Sequence, residues 1–348
     1  MKKILYVGIG LVAVLVVAAT VIYNTHAGQD ALFNTAARAV MSQSPPQTTD
    51  GLEVVICGSA SPLGNDPNRA QACIAVVTPE HFFLFDIGAR APLRINQARL
   101  PLRRLDGVFL THFHSDHISG VPDVNLASWV QGRRDSLSIY GPEGVNRVVN
   151  GFNEAYALDR SYRTAHHGAE LLPPTAGPMT PVTFTAGQVV WQDDTLSVTA
   201  FLVEHPPIEP AVGYRVDYRG RSVVISGDTN ASDELFRVAQ GADLVLHYAL
   251  SRTLLDPMIA AAKDMNVPVL PTIMHDVIDY HADSTSLHER AAQAGIGQLA
   301  FYHMVPVPAN AVAEKMFLRD LPQDIIVAKD LQRFVMPADE SDMQIYEP

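Results

Sequence analysis

The chain has 348 residues, 47% of them hydrophobic, which is enough to bury a substantial core and excludes disorder as its general state. Its formal net charge of −12 argues against a surface built to hold polyanions, since nucleic-acid binding uses Lys and Arg to displace counterions from phosphates. Nucleic acid is therefore not expected as a partner.

The N-terminus reads Met1-Lys2-Lys3 and then runs from Ile4 to Tyr23 without a charge, twenty residues, a length that crosses a bilayer as a helix. No Lys or Arg recurs until Arg38, so the charge asymmetry puts the N-terminus in the cytoplasm and the remainder outside. The expectation is a signal anchor over 1–23 that holds the chain at the periplasmic face of an inner membrane. A signal peptide cleaved near Thr25-His26-Ala27 is the alternative. Residues 24–50 show no sustained period and end in Ser44-Pro45-Pro46-Gln47, a composition that reads as a linker.

The globular part begins near Gly51. Short apolar, β-branched runs read as strands at Glu53–Cys57, Cys73–Val77, Phe82–Asp86, Val108–His112, Leu137–Tyr140, Leu196–Glu204, Gly213–Tyr218, Ser222–Ser226, Leu244–His247, Leu299–His303 and Ile325–Ala328. Helical patterns fall between them near 116–130, 144–158, 232–240, 253–265, 284–294 and 309–319. One domain over 51–335 follows, with a tail at 336–348. Segment 141–190, with Pro173-Pro174, Tyr156, Tyr162, His166 and His167, reads equally as a lid over a site or as a surface excursion, and His166 and His167 are not counted as ligands. Cys57 and Cys73, sixteen residues apart in neighbouring strands, either pair in an oxidising compartment or pack as buried thiols.

The strongest chemical signal is Thr111-His112-Phe113-His114-Ser115-Asp116-His117, directly after the strand that starts at Val108. Residues two apart on an extended stretch point the same way, so His112 and His114 can grip one ion, while Asp116 and His117 reach a second from the start of a helix. Histidine makes up only 13 of the 348 residues, so three within six positions beside an aspartate is far from chance.

His-x-His-x-Asp-His after a strand resembles the signature of the metallo-β-lactamase superfamily. The resemblance covers roughly 51–330 and implies an α/β fold, a four-layer αββα sandwich with the metal site at one edge. It also implies roles for further residues in order. Asp86, in Asp86-Ile87-Gly88, supports the ligands from behind; His205 completes the first metal site; Asp228 bridges both ions; His303 closes the second site. Gly58-Ser59-Ala60-Ser61-Pro62 with Arg69, Gly213-Tyr214-Arg215, and His281-Ala282-Asp283-Ser284-Thr285 resemble the ribonuclease Z and arylsulfatase-like branch, in which a histidine at the position of His281 protonates the leaving group.

Two departures from ribonuclease Z stand out. Only nine residues separate Arg215 from Ile225, where the tRNA enzymes carry a long arm, and His-Glu-Ala-Thr appears as His247-Tyr248-Ala249-Leu250, leaving Asp276, Asp279 or Asp283 as candidates to orient His281. The resulting expectation is a hydrolase with two divalent ions, zinc by ligand type with manganese or iron as alternatives, and with Asp116 and His281 as catalytic groups. Its expected substrate is a small phosphate or sulfate ester. Lactone or β-lactam hydrolysis is the second reading, and tRNA processing or non-catalytic metal binding stand behind both.

Overall fold

The computed structural model describes residues 14–42, 50–63, 66–338 and 340–348. The chain divides into two units, Met1–Pro46 and Gln47–Pro348.

In the first unit, residues 14–24 are helical and a second helix spans His26–Met41. Among the described residues no helix is long and apolar enough to cross a membrane. This stands against the expected membrane-spanning helix over 1–23 and against the periplasmic anchoring expected from it. The described helical stretch stops at Thr25. Residues 4–13 of the apolar run lie outside the described residues. Within 24–50, residues 26–41 are helical although the sequence shows no sustained period there: Ala31, Ala36, Ala37 and Ala39 favour a helix, and the Thr25 side chain caps it by accepting from Gly28 N.

Among its described residues the second unit carries fifteen strands: β1 (Gly51–Gly58), β2 (Cys73–Val77), β3 (Phe82–Phe85), β4 (Gly107–Phe109), β5 (Leu137–Gly141), β6 (Met179–Thr183), β7 (Gln188–Gln192), β8 (Leu196–Val203), β9 (Ala211–Tyr218), β10 (Arg221–Ile225), β11 (Leu244–Leu250), β12 (Gln298–Val305), β13 (Ile326–Val327), β14 (Arg333–Pro337) and β15 (Gln344–Tyr346). They form one sheet in the order β15-β14-β1-β2-β3-β4-β5-β6 and another in the order β13-β12-β11-β10-β9-β8-β7. Strands β3 to β6 run parallel, as do β10 to β13.

Between the sheets, Val54, Ile56, Phe83, Phe85 and Phe109 of the first meet Val198, Tyr214, Val216, Ile225, Leu246 and Tyr302 of the second in one buried cluster. The outward residues of the same strands are buried as well. Val55, Ala75 and Leu84 pack with Ile95, Val124 and Val149 of helices on one side, and Val245, Leu299 and Phe301 with Leu235, Leu254 and Leu287 on the other. Strands covered on both faces read as continuous apolar runs, which is why β1, β2 and β11 show no alternation in sequence or burial.

Strands β6, β7, β14 and β15 are not expected from the sequence. β6, β7 and β15 are sheet edges, largely exposed and carrying polar residues, so neither period nor hydrophobicity marks them, while β14 is buried beside an edge but short, running from Arg333 to Pro337. The tail is correspondingly ordered in part, with β15 pairing on β14. Segment 141–190 is largely regular, containing helices Val145–Ala155 and Ala157–His167 as well as β6.

The connection from β1 to β2 is fastened at several points. Cys57 and Cys73 form a disulfide at its neck. Asp330 accepts from Ser59 N (3.0 Å), Ser59 Oγ (2.7 Å) and Ala70 N (2.6 Å) and pairs with Arg94 Nε (3.0 Å). Arg69 donates to Ser59 Oγ and to the Ala328 carbonyl at 2.8 and 2.6 Å. The loop that resembles a family motif is thus held by buried charge and covalent closure at a fixed place beside the strand ends.

Candidate metal centre

Strands β3, β4, β10 and β12 end at one edge of the sandwich, the carboxyl end of parallel strands where ligands bind in open α/β sheets. The end of β4 is tied down first. Tyr214 of β9 donates its hydroxyl to the Leu110 carbonyl (2.6 Å), and Val212 N donates to the Thr111 carbonyl (3.0 Å). His112 and His114 follow on extended backbone, and a short helix, Ser115–Ile118, buries Asp116 and His117.

The predicted ligands converge. His112 Nε2 lies 2.9 Å from His114 Nδ1, and His205 Nε2 lies 3.4 Å from the same atom. His303 Nε2 lies 2.9 Å from Asp116 Oδ2 and 3.1 Å from His117 Nε2. Within each of two groups, His112, His114, His205 with Asp228, and Asp116, His117 with His303, the donor atoms all fall within 4.8 Å of one another. Asp228 also faces the second group, with Oδ1 at 3.3 Å from His117 Nε2 and 3.7 Å from His303 Nε2.

These contacts fit divalent cations better than they fit hydrogen bonds. Ring nitrogens that share one tetrahedral ion at about 2.0–2.1 Å stand about 3.3 Å apart, and the His114 nitrogen lies 2.9 Å from that of His112 and 3.4 Å from that of His205. Asp228 Oδ1 is buried and makes no hydrogen bond, an arrangement that is costly unless a cation completes it. His/Asp donor chemistry of this kind suits a divalent metal.

The electrostatics act in the same direction. Burial pushes the His112 imidazole well below its ordinary range, reinforced by His117, and burial takes His205 down to about 4. Burial alone would raise the carboxyls, but His117 and His303 outweigh it, holding Asp116 down to about 2 and Asp228 well below the carboxylate range. Burial likewise opposes charge on His117, yet Asp228 and then Asp86 raise it well above the usual histidine value. A ring so eager for positive charge, set among buried carboxylates, marks the place where a cation belongs.

Asp86 supports this group without joining it. It accepts from Thr111 N (2.8 Å), Thr111 Oγ1 (2.7 Å) and His117 Nδ1 (2.8 Å), so the Nε2 of His117 is left to face the cluster. Two site residues, Asp86 (φ 53°) and His303 (φ 47°), hold left-handed backbone, a strain that non-glycine residues tolerate where surrounding contacts fix them. Gly88 is required by close approach: a Cβ there would sit 2.0 Å from the Asp116 carbonyl oxygen.

His281 stands at the rim. Its Nδ1 donates to the Val277 carbonyl (2.7 Å) and its Nε2 lies 3.6 Å from Asp228 Oδ2. A backbone carbonyl therefore orients the ring, not Asp276, Asp279 or Asp283. Asp283 is engaged with Thr285 N and Oγ1 instead. His247, on the outward face of β11, bonds the Tyr248 carbonyl and stacks near Phe236, with burial taking it down to about 4. His166 and His167 lie exposed at the end of their helix and outside both groups.

A cavity of about 320 Å³ opens over the cluster, lined by His114, Asp116, His205, Asp228, His281 and His303 together with Ser61, Pro62, Leu63, Tyr248, Ile273, Val277, Tyr280 and Val305. No residue of 141–190 lines it. The wall from Ile273 to Tyr280 is not marked in the sequence. The helix Leu270–Asp276 is short and partly exposed, and Pro271 in its first turn is the only local signal that it starts there. In the sequence Tyr248 stands out only as a departure from His-Glu-Ala-Thr; its ring stacks on His281 at 4.2 Å, and burial followed by Asp228 pushes its phenol well above the usual range.

Residues 83–304 match the model of the β-lactamase superfamily domain. A protein named Ribonuclease Z from Mycobacterium bovis (strain BCG / Pasteur 1173P2) is 33% identical over 258 residues, covering 73% of this chain and 86% of that protein. One of the same name from Mycobacterium avium (strain 104) is 31% identical over 293 residues, 82% of this chain and 99% of its own. Among solved structures, the metallo-β-lactamase fold protein YhfI from Bacillus subtilis superposes with a TM-score of 0.59 at 18% identity, over 82% of this chain and all of that one. Human tRNase Z, short form, gives 0.55 at 19% identity, over 81% and 98% of the two chains. At these identities the structural likeness concerns the fold.

Proposed function

Because the chain belongs to the metallo-β-lactamase superfamily, as a ribonuclease Z-like metal-dependent hydrolase, we propose that it hydrolyses a phosphodiester bond of RNA, with precursor tRNA as its substrate. The observation that carries this is the pairing of two donor groups through Asp228 under an open cavity, in a chain a third identical to proteins named Ribonuclease Z.

This replaces the expectation of a small phosphate or sulfate ester, and of a lactone or β-lactam as the second choice, because the relatives found by sequence are named as ribonucleases. It replaces the exclusion of nucleic acid and the membrane partner as well. That exclusion rested on net charge and on the short connection between β9 and β10, a hairpin turning at Arg219-Gly220. Net charge is a property of the whole surface, whereas phosphate contacts depend on local groups.

In this reading His112, His114, His205 and Asp228 would hold one zinc ion, and Asp116, His117 and His303 would hold a second, with Asp228 facing both groups. Bound there, such ions would supply Lewis-acid polarisation of a phosphoryl oxygen and lower the pKa of water. Asp116 has a second carboxylate oxygen free to accept a hydrogen bond from the attacking water and so fix its approach. Asp86 keeps His117 in the tautomer whose Nε2 faces the cluster. His281, its Nδ1–H held by the Val277 carbonyl, carries a proton on Nε2 to the departing 3′ oxygen.

The test is cleavage of a precursor tRNA by the zinc-loaded full-length chain, with the products mapped at nucleotide resolution. Cleavage at one position, lost on zinc removal and restored on its return, is expected. A fully zinc-loaded protein that leaves the RNA intact would sink the proposal.

A further inference from the structure

Tyr248 holds a buried polar group that the mechanism above leaves unused. It sits on β11 with its side chain turned to the cavity, opposite in direction to His247, as alternate strand residues must be. The residue is fully buried, and its hydroxyl makes no hydrogen bond. Tyr302 also carries an unpartnered hydroxyl, but that residue belongs to the core between the sheets and does not line the cavity. A donor buried without a partner is costly, and where it borders a binding cavity the economical explanation is a partner that arrives with the ligand.

The surroundings define that partner. The Tyr248 ring lies parallel to His281 (4.2 Å between centroids, 17°) and tilts against His303 (4.8 Å, 41°), so it is fixed between the proton donor and the second donor group. Asp116 and Asp228 line the same cavity, which therefore holds carboxylates where an anionic phosphodiester must come to rest. A neutral donor can hold a phosphoryl oxygen there without adding negative charge. Ser61, also in the lining, already spends its hydroxyl on the Leu63 carbonyl (3.3 Å).

We propose that Tyr248 is a catalytic residue whose phenol donates a hydrogen bond to a non-bridging oxygen of the phosphodiester bound at the cluster, while its ring fixes the plane of His281. The proposal rests on the phosphodiester reading of the site. It does not require that the ester belong to tRNA.

Tyr248→Phe keeps the ring and its stacking and removes only the donor. Binding of inorganic phosphate to the zinc-loaded full-length protein, measured by calorimetry, should weaken about tenfold or more, the scale of one hydrogen bond to a charged group. Precursor-tRNA kcat should fall at least as far, with zinc content unchanged and the melting temperature unchanged or raised. Equal phosphate affinity in the two proteins, no phosphate binding by the unaltered protein, or loss of zinc from the variant would each overturn the assignment. If the unaltered protein binds phosphate through Tyr248 but does not cut RNA, the functional proposal fails and this one stands.

Discussion

Asp86 acts from one bond behind the groups that would touch metal, whereas His281 faces the cavity itself. Asp86 fixes Thr111 and His117 through three hydrogen bonds and itself holds left-handed backbone. Asp86→Asn can accept only through its amide oxygen and offers no charge to His117, so metal affinity should drop about 10–100-fold, read by titration with a competing chelator. His281→Ala should lower precursor-tRNA kcat by roughly 10²–10⁴-fold with metal content intact, because its Nε2 lies beside Asp228 and outside both donor groups. The double change His112→Ala and His114→Ala should instead empty the first group, which elemental analysis would register as lost metal.

At the scale of elements, the loop from β1 to β2 and the turn after β3 bring the site together. Asp330 receives two backbone N–H groups, a hydroxyl and Arg94 in a buried position, so Asp330→Ala leaves them without a partner. Loss of about 3–5 kcal/mol of stability is expected, measurable by urea unfolding, as for other broken buried ion pairs. The disulfide closes a loop of sixteen residues, and replacing both Cys57 and Cys73 by alanine should cost on the order of 3 kcal/mol. Both sulfurs are buried, so a reductant acting on the folded protein should have little effect within minutes. Gly88 admits no side chain because of the Asp116 carbonyl, which makes it a structural requirement of the motif as much as any histidine.

For the whole molecule, the donor groups are drawn from both sheets, so metal held there would link them. One donor group draws His112 and His114 from beyond β4 of the first sheet and His205 and Asp228 from the ends of β8 and β10 of the second, and the other joins Asp116 and His117 to His303. Ions that bind only the folded state add stability in proportion to the logarithm of their concentration over Kd. Chelation should therefore lower the melting temperature as well as activity, and zinc should restore both. An unchanged melting temperature after complete zinc removal would mean that the sheets are joined by their apolar core alone.

The sequence by itself determined the chemistry of the cluster and the strands that carry it. His112, His114, Asp116 and His117 are legible because local spacing sets their direction, and the central strands because burial on both faces selects unbroken β-branched and aromatic runs. His205, Asp228 and His303 were legible only through resemblance, since no local signal distinguishes one strand-end residue from another. Tertiary structure alone decided that a carbonyl orients His281, that Tyr248 faces the cavity and His247 does not, and that Ile273 to Tyr280 form its wall. It also decided the edge strands and the N-terminal helix boundaries, where tertiary pairing or a capping threonine outweighs composition. The physical reason is common to all of these: contacts between residues far apart in the chain depend on register and packing direction, and neither is written in the local pattern.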